Sequence, residues 1–309
     1  MAKSFLKFIG KWMLIFVLGS LIAFFITRSM PGNPVDMLLG RYGLSKTPEN
    51  VAAIENRFML NEPWHRQYIS WITDFVKGEW GNSYITRSSL KPEILRRLPI
   101  SVGIGMGGTI LAAILAFFIG YGASLKEKGF WNYISKGITI FNQAVPVFLM
   151  ILVVIYFFGV KYRLVRFFSG DGMVAMIMGM IFIAFPLLGP MSRTVRVHFL
   201  ETLERPYMDF YIYSGYERNK ALLLYGSRPA IYGLCSVVVS RFAWVLGGGT
   251  VVEFALGIHG ISLFLIDSIA QRDYLLIQTY IMTVIIWMAV VHFIFGFIFE
   301  RILYKGGVE

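Results

Sequence analysis

The chain has 309 residues, 56% of them hydrophobic and 15% charged, with a mean hydropathy of +0.63. Soluble domains carry about 25% charged and 45–50% apolar residues, so this balance excludes an ordinary soluble domain and indicates an integral membrane protein. The formal net charge of +11 could mark a nucleic-acid partner only if the basic residues had no topological explanation.

Taken in chain order, six stretches are apolar enough to cross a hydrocarbon core that needs about 20 residues. The first covers about residues 5–27, with Lys7 and Lys11 near its start. Its apolar part is long and no small-residue cleavage site follows, so it is read as a retained span and not a signal peptide. The second is uncharged from Leu98 to Leu125, the third from Gly137 to Val160 and the fourth from Gly172 to Ser192. The fifth, about 229–252, contains one charge, Arg241, and the sixth is uncharged from Tyr274 to Phe299.

Lys and Arg counts in the short flanks set the orientation. With the N-terminus inside, the inner flanks hold fourteen, including Lys3, Arg301 and Lys305. The short outer loops hold four: Lys161, Arg163, Arg166 and Arg272. The expected fold is therefore all-α, with six transmembrane helices and both ends in the cytoplasm. Its divisions are 1–27 (cytoplasmic N-terminus and first helix), 28–97 (extracytoplasmic segment) and 98–309 (permease core). The basic flanks are then read as anchors against anionic membrane lipid, with no nucleic-acid partner.

Segment 28–97 opens with the turn-forming MPGNP (30–34). Trp64, Tyr68, Trp71 and Phe75 then recur at helical spacing. They fit either an interfacial amphipathic helix or a small packed cap. In the second span Gly103, Gly107 and Gly108 allow close helix approach. Asn142 and Gln143 are expected to satisfy backbone freed by Pro146 in the third span, while Pro186 and Pro190 should kink or end the fourth.

Between spans four and five, loop 193–228 contains PYMDFYIYSGYERNKALLLYG (206–226). Pro206 suits a first helical position and Gly215 a left-handed helix end. Glu217 opens a second short helix, which Gly226 and Pro229 should close. Such a short helix has little stability alone: it is either an amphipathic connector on the lipid surface or a docking knob for a cytoplasmic partner.

Arg241, twelve residues into its span, is an expensive intramembrane charge that marks a pathway or a structural pair. The lone His292 of the sixth span fits a packing role better than a titrating one. The four histidines are scattered, the single cysteine, Cys235, permits no intrachain disulfide, and no GxxxxGK[ST] phosphate loop occurs. Neither GxSG nor HExxH occurs, against an intramembrane protease. No catalytic residue, cofactor or metal site is expected, and the chain is not expected to be an enzyme.

Seven motifs in order resemble one family. They are MPGNP (30–34), NEPWHRQYISWI (61–72), GEWGNS (78–83), RRLPISV (96–102), VPVF (145–148), the loop glycine Gly215 followed by Arg228, and VVEFALGIHGISLFLIDSIAQRDYLLIQ (251–278). The chain resembles the inner-membrane permeases of ATP-binding-cassette importers for dipeptides, oligopeptides and nickel, and is identified as the first of the two paralogous permeases. It departs from the family pattern in having Tyr211 and Tyr213 in place of alanines, and Ile258-His259-Gly260 in place of WPG.

The resemblance implies a peptide importer whose ATP hydrolysis resides in two separate cytoplasmic ATPase subunits. It further implies a second permease and an extracytoplasmic substrate-binding protein. The alternatives are the same machinery importing nickel or another metal complex, or an ion-coupled secondary transporter. The residues implied for ATPase coupling are Tyr207, Tyr211, Tyr213, Gly215, Glu217 and Arg218. Arg241 would line the path, and Glu253, Asp267, Arg272 and Asp273 would meet the binding protein.

Overall fold

The computed structural model describes residues 2–30, 34–165, 167 and 172–304. Pro31, Gly32, Asn33, Arg166 and Lys305, used in the reading above, lie outside these, as do the side chains of Lys3 and Arg301. Among the described residues the chain is helical, with one isolated bridge, Asn82–Ser89, and no strand. Helices satisfy every backbone group internally, which a bilayer demands.

In chain order, α1 (Ala2–Arg28) is the first apolar helix, followed by the shorter α2 (Pro34–Tyr42), α3 (Pro48–Arg57) and α4 (Trp64–Lys77). Then come α5 (Leu90–Leu125), α6 (Phe130–Ala144), α7 (Val147–Val154) and a π-helical turn, Ile155–Lys161. The remainder is α8 (Met173–Leu203), α9 (Pro206–Tyr213), α10 (Arg218–Gly248), α11 (Thr250–Leu256), α12 (Ile261–Gln271) and α13 (Tyr274–Tyr304).

Five helices, α1, α5, α8, α10 and α13, are long and apolar enough to cross a membrane. Two bent pairs add to them. Phe130–Ala144 and Val147–Lys161 meet at 97°, and Thr250–Leu256 and Ile261–Gln271 at 84°. The third apolar stretch is thus not a straight span: Pro146 cannot extend α6, and the chain turns there.

The chain divides into two compact units, 1–98 with 264–290 and 99–263 with 291–309. In the first, Val35, Leu38, Ile54, Tyr84 and Tyr274 form a buried core. Helix α4 lies against α1, where Phe24 meets Tyr68 edge-on and stacks on Trp71. Tyr68, Trp71 and Phe75 are therefore packing residues of this unit, while Trp64 is 54% exposed. Gly78 ends α4 in the left-handed conformation (φ 86°).

In the second unit α8 packs along α10 and α6. Pro186 and Pro190 lie inside α8 without ending it, and Asn142 Nδ2 donates to the Phe185 carbonyl at 2.9 Å. That side chain serves the proline-bearing neighbour, not its own Pro146. Helix α5 approaches α8 through small residues: a Cβ on Gly108 would sit 2.6 Å from the Met180 carbonyl, and one on Gly120 2.6 Å from that of Ser192.

Candidate functional site

Helix α9 is the projecting helix of the loop. Pro206 occupies its first turn, and Gly215 follows it at φ +93°. Tyr216 N donates to the Tyr211 carbonyl and Gly215 N to that of Ile212, both at 3.1 Å. These bonds close the helix as a Schellman motif. Met208 is fully buried in one core with Phe199 of α8 and Leu222 of α10. Tyr211 stacks on Tyr225 of α10 at 3.6 Å with rings 8° apart. The helix is rooted on one side and pinned on another.

Its third side is bare. Tyr207, Phe210 and Tyr213, three residues apart, are 42%, 67% and 88% exposed. Phe210 is not among the coupling residues the resemblance implies, yet its i, i+3 relation to both tyrosines is present in the sequence. Tyr211, grouped with the coupling residues, turns inward to its stack. Glu217 occupies the N-cap position of α10 without a side-chain capping bond and pairs with Lys220 at 3.1 Å, and Arg218 is exposed. The second short helix expected after Gly215 does not exist as such. Helix α10 runs unbroken from Arg218 through Gly226 and Pro229 to Gly248. Gly226 is a packing position, where a Cβ would lie 3.0 Å from Phe199.

Arg241 lines a cavity of about 400 Å³ in the second unit. Thr109, Pro146, Trp244 and Gly249 share its walls, so it sits beside the breaks between α6 and α7 and between α10 and α11. Seven residues separate Arg241 from the end of α10, about 10 Å at 1.5 Å per residue. Among the described residues it has no hydrogen bond or ion pair.

The four outer candidates separate. Asp267 is exposed and Arg272, at φ +59°, half-buried. Glu253 and Asp273 are buried and engaged internally, which removes them from any docking face. Glu253 Oε2 accepts from Ser262 N at 2.9 Å and Leu263 N at 3.0 Å, capping α12. Gly260 is forced by that cap, because a Cβ there would collide with Glu253 Oε2 and Ser101 Oγ.

Asp273 Oδ2 accepts from Ser83 Oγ at 2.5 Å, and Oδ1 from Leu276 N at 3.3 Å. The GEWGNS and RDY motifs are thereby two halves of one contact. Burial pushes the Asp273 carboxyl above its ordinary value, and its hydrogen bonds, Ser83's first, pull the other way.

The geometry offers an exposed aromatic helix face and a polar point in an apolar cavity. Residues 108–306 match the family described as binding-protein-dependent transport system inner membrane component, and residues 1–105 match the N-terminal model for the membrane component of such systems. The oligopeptide transport system permease protein OppB of Haemophilus influenzae is 25% identical, covering 97% of this chain and all of the relative. OppB of Escherichia coli K12 is 26% identical over 83% of each chain. The dipeptide transport system permease protein DppB of Lactococcus lactis is 23% identical over 89% of each. The chain is a multi-pass cell-membrane protein of a prokaryote, and it belongs to the family of inner-membrane components of binding-protein-dependent transport systems.

Proposed function

We propose that the chain forms half of the membrane path of an ATP-driven peptide importer. Its partners are a second, related permease, two cytoplasmic ATPase subunits and an extracytoplasmic substrate-binding protein. The peptide cargo rests on similarity to permeases named for oligopeptide and dipeptide transport. The coupling role rests on α9, whose bare aromatic face is the kind of exposed apolar patch that marks a protein contact.

Movement of an ATPase cleft gripping Tyr207, Phe210 and Tyr213 would pass through Met208 and the Tyr211–Tyr225 stack into α8 and α10. A motor can drive the cycle only if its contacts differ between two conformations. A rigidly seated helix transmits that difference, where a flexible one would absorb it. Gly215, Glu217 and Arg218 form the rim of this surface. Arg241 lines the path and meets a peptide carboxylate, and Asp267 with Arg272 faces the binding protein.

Reconstitution with the cognate ATPases and binding protein tests this reading. Uptake of a labelled peptide should require ATP. A Phe210→Ser, Tyr213→Ser double variant, altered only at exposed positions, should assemble in the membrane yet lose most uptake. Normal transport by that variant, or uptake persisting without the ATPases, would overturn the assignment.

A further inference from the structure

The first unit holds a cavity of about 320 Å³ that the proposed transport cycle does not use. Its inner wall includes Phe24, Gln67, Ser83 and Tyr84, which are buried, and its mouth includes Glu79 and Arg87, which are exposed. Helix α4 presents Gln67, Ser70, Trp71 and Asp74 to it. Their i, i+3, i+4, i+7 spacing makes one helix face. The stripe that would be apolar if it served packing alone is here mostly polar.

Five buried side-chain polar atoms lack a partner among the described residues, and three of them belong to residues of this cavity: Arg28 Nε, Trp71 Nε1 and Gln67 Oε1. Gln67 is 6% exposed. Its Nε2 donates to the Glu62 carbonyl at 2.7 Å, so the amide is oriented and Oε1 is the end left over. Buried donors and acceptors are normally satisfied, so this clustering points to an occupant.

The charges indicate what kind. Arg28 and Arg87 are balanced by Asp74 and Glu79, which suits a neutral molecule with separated charges better than a lone ion. Arg28 lies over the Phe24 ring at 5.3 Å, and that ring stacks on Trp71, while Asp74 and Glu79 line the same cavity, so the cavity carries both signs of charge. The volume lies at the small end of ligand pockets, about 300–1,000 Å³.

We propose that this cavity binds a compact zwitterion, its oxyanion at Arg28 and Trp71 and its ammonium at Gln67, Asp74 and Glu79. Two sources carry that chemistry: a free α-amino acid, and the phosphoethanolamine head group of a membrane lipid. The second is reachable because α1, a candidate span, ends at Arg28, at the depth where head groups lie.

The experiment uses the full chain purified with the subunits with which it assembles. Calorimetry with L-alanine, acetate and methylammonium is run beside native mass spectrometry from nanodiscs of phosphatidylethanolamine or phosphatidylglycerol. A zwitterion should bind once per chain while acetate, methylammonium and phosphatidylglycerol do not. Alanine binding alone identifies a free amino acid, and phosphatidylethanolamine retention alone identifies the head group.

Gln67→Leu and Trp71→Phe should each weaken binding roughly tenfold, and Glu79→Gln, at the exposed mouth and safe for folding, severalfold. The proposal is overturned if neither zwitterion binds or if acetate or phosphatidylglycerol binds equally well. Wild-type affinity in the folded variants overturns it as well. None of these outcomes depends on the cargo assigned above.

Discussion

Asp273 holds two separate stretches of the chain with one carboxylate, receiving Ser83 Oγ on one oxygen and Leu276 N on the other. Ser83 Oγ in turn accepts from the amides of Ile85 and Thr86 at 3.1 and 3.0 Å. Because burial raises the Asp273 pKa, folding disfavours its charged form. A folded pKa above the unfolded one gives stability that is complete below the unfolded value and declines as pH rises through the folded one. Asp273→Asn keeps an acceptor for Leu276 N and removes the charge. It loses the bond from Ser83 Oγ when Nδ2 faces that hydroxyl, so its pH slope, and not its absolute stability, is compared with the wild type. Its melting temperature in detergent should gain on the wild type as pH is raised from about 4 to 7, the window above the ordinary Asp value near 3.9. Asp273→Ala, which strands Ser83 and Leu276 N, should cost about 1–3 kcal/mol across that range. A wild type that gained on Asp273→Asn with rising pH would contradict the assignment.

At the scale of elements, the approach of α5 to α8 depends on Gly108, Ala112, Ala116 and Gly120, spaced four apart and thus on one helix face. Ala112 and Ala116 are fully buried. Small residues at this spacing let helix backbones come close in a membrane. Gly120→Val would force atoms against the Ser192 carbonyl and the Val195 side chain. Its yield of folded, detergent-soluble protein should fall severalfold by size-exclusion chromatography. Gly103→Ala, in the same helix with open space at its Cβ, should be indistinguishable from the wild type. The sequence shows the four-residue spacing, but in it Gly103, expected with Gly107 and Gly108 to allow close approach, looks no different from Gly120. Nothing local separates a glycine in open space from one pressed on a carbonyl, because that distinction belongs to the neighbouring helix. Gly226 misled for the same reason. A glycine followed by Pro229 reads as a helix end, yet inside α10 it is a tight packing position against Phe199. By contrast α9 was legible almost to the residue, since Pro206 and Gly215 act through local backbone geometry. The motifs of the outer segments were legible as a pattern, but their pairings were not: Ser83 and Asp273 lie 190 residues apart, and Glu253 reaches the α12 amides only because the chain reverses at the left-handed Gly257.

For the whole molecule, the distribution of basic residues sets a direction that can be measured. The inner flanks are expected to carry fourteen Lys and Arg against four in the short outer loops, which predicts α9 inside and the turn after α12 outside. Cys235 is the single cysteine, so a Cys235→Ser background makes introduced thiols unambiguous. Tyr213, 88% exposed, and Asp267, also exposed, are sites where a cysteine replaces no packing. In intact cells a membrane-impermeant maleimide should label Asp267→Cys and spare Tyr213→Cys until the membrane is opened. Glu79→Cys, at the mouth of the zwitterion cavity, should react with Asp267→Cys and on the same side. Labelling of Tyr213→Cys from outside would invert the molecule and leave α9 with no nucleotide-hydrolysing partner within reach. Reaction of Glu79→Cys and Asp267→Cys from opposite sides would break the extracytoplasmic assignment of 28–97 while leaving α9 where the charge count puts it.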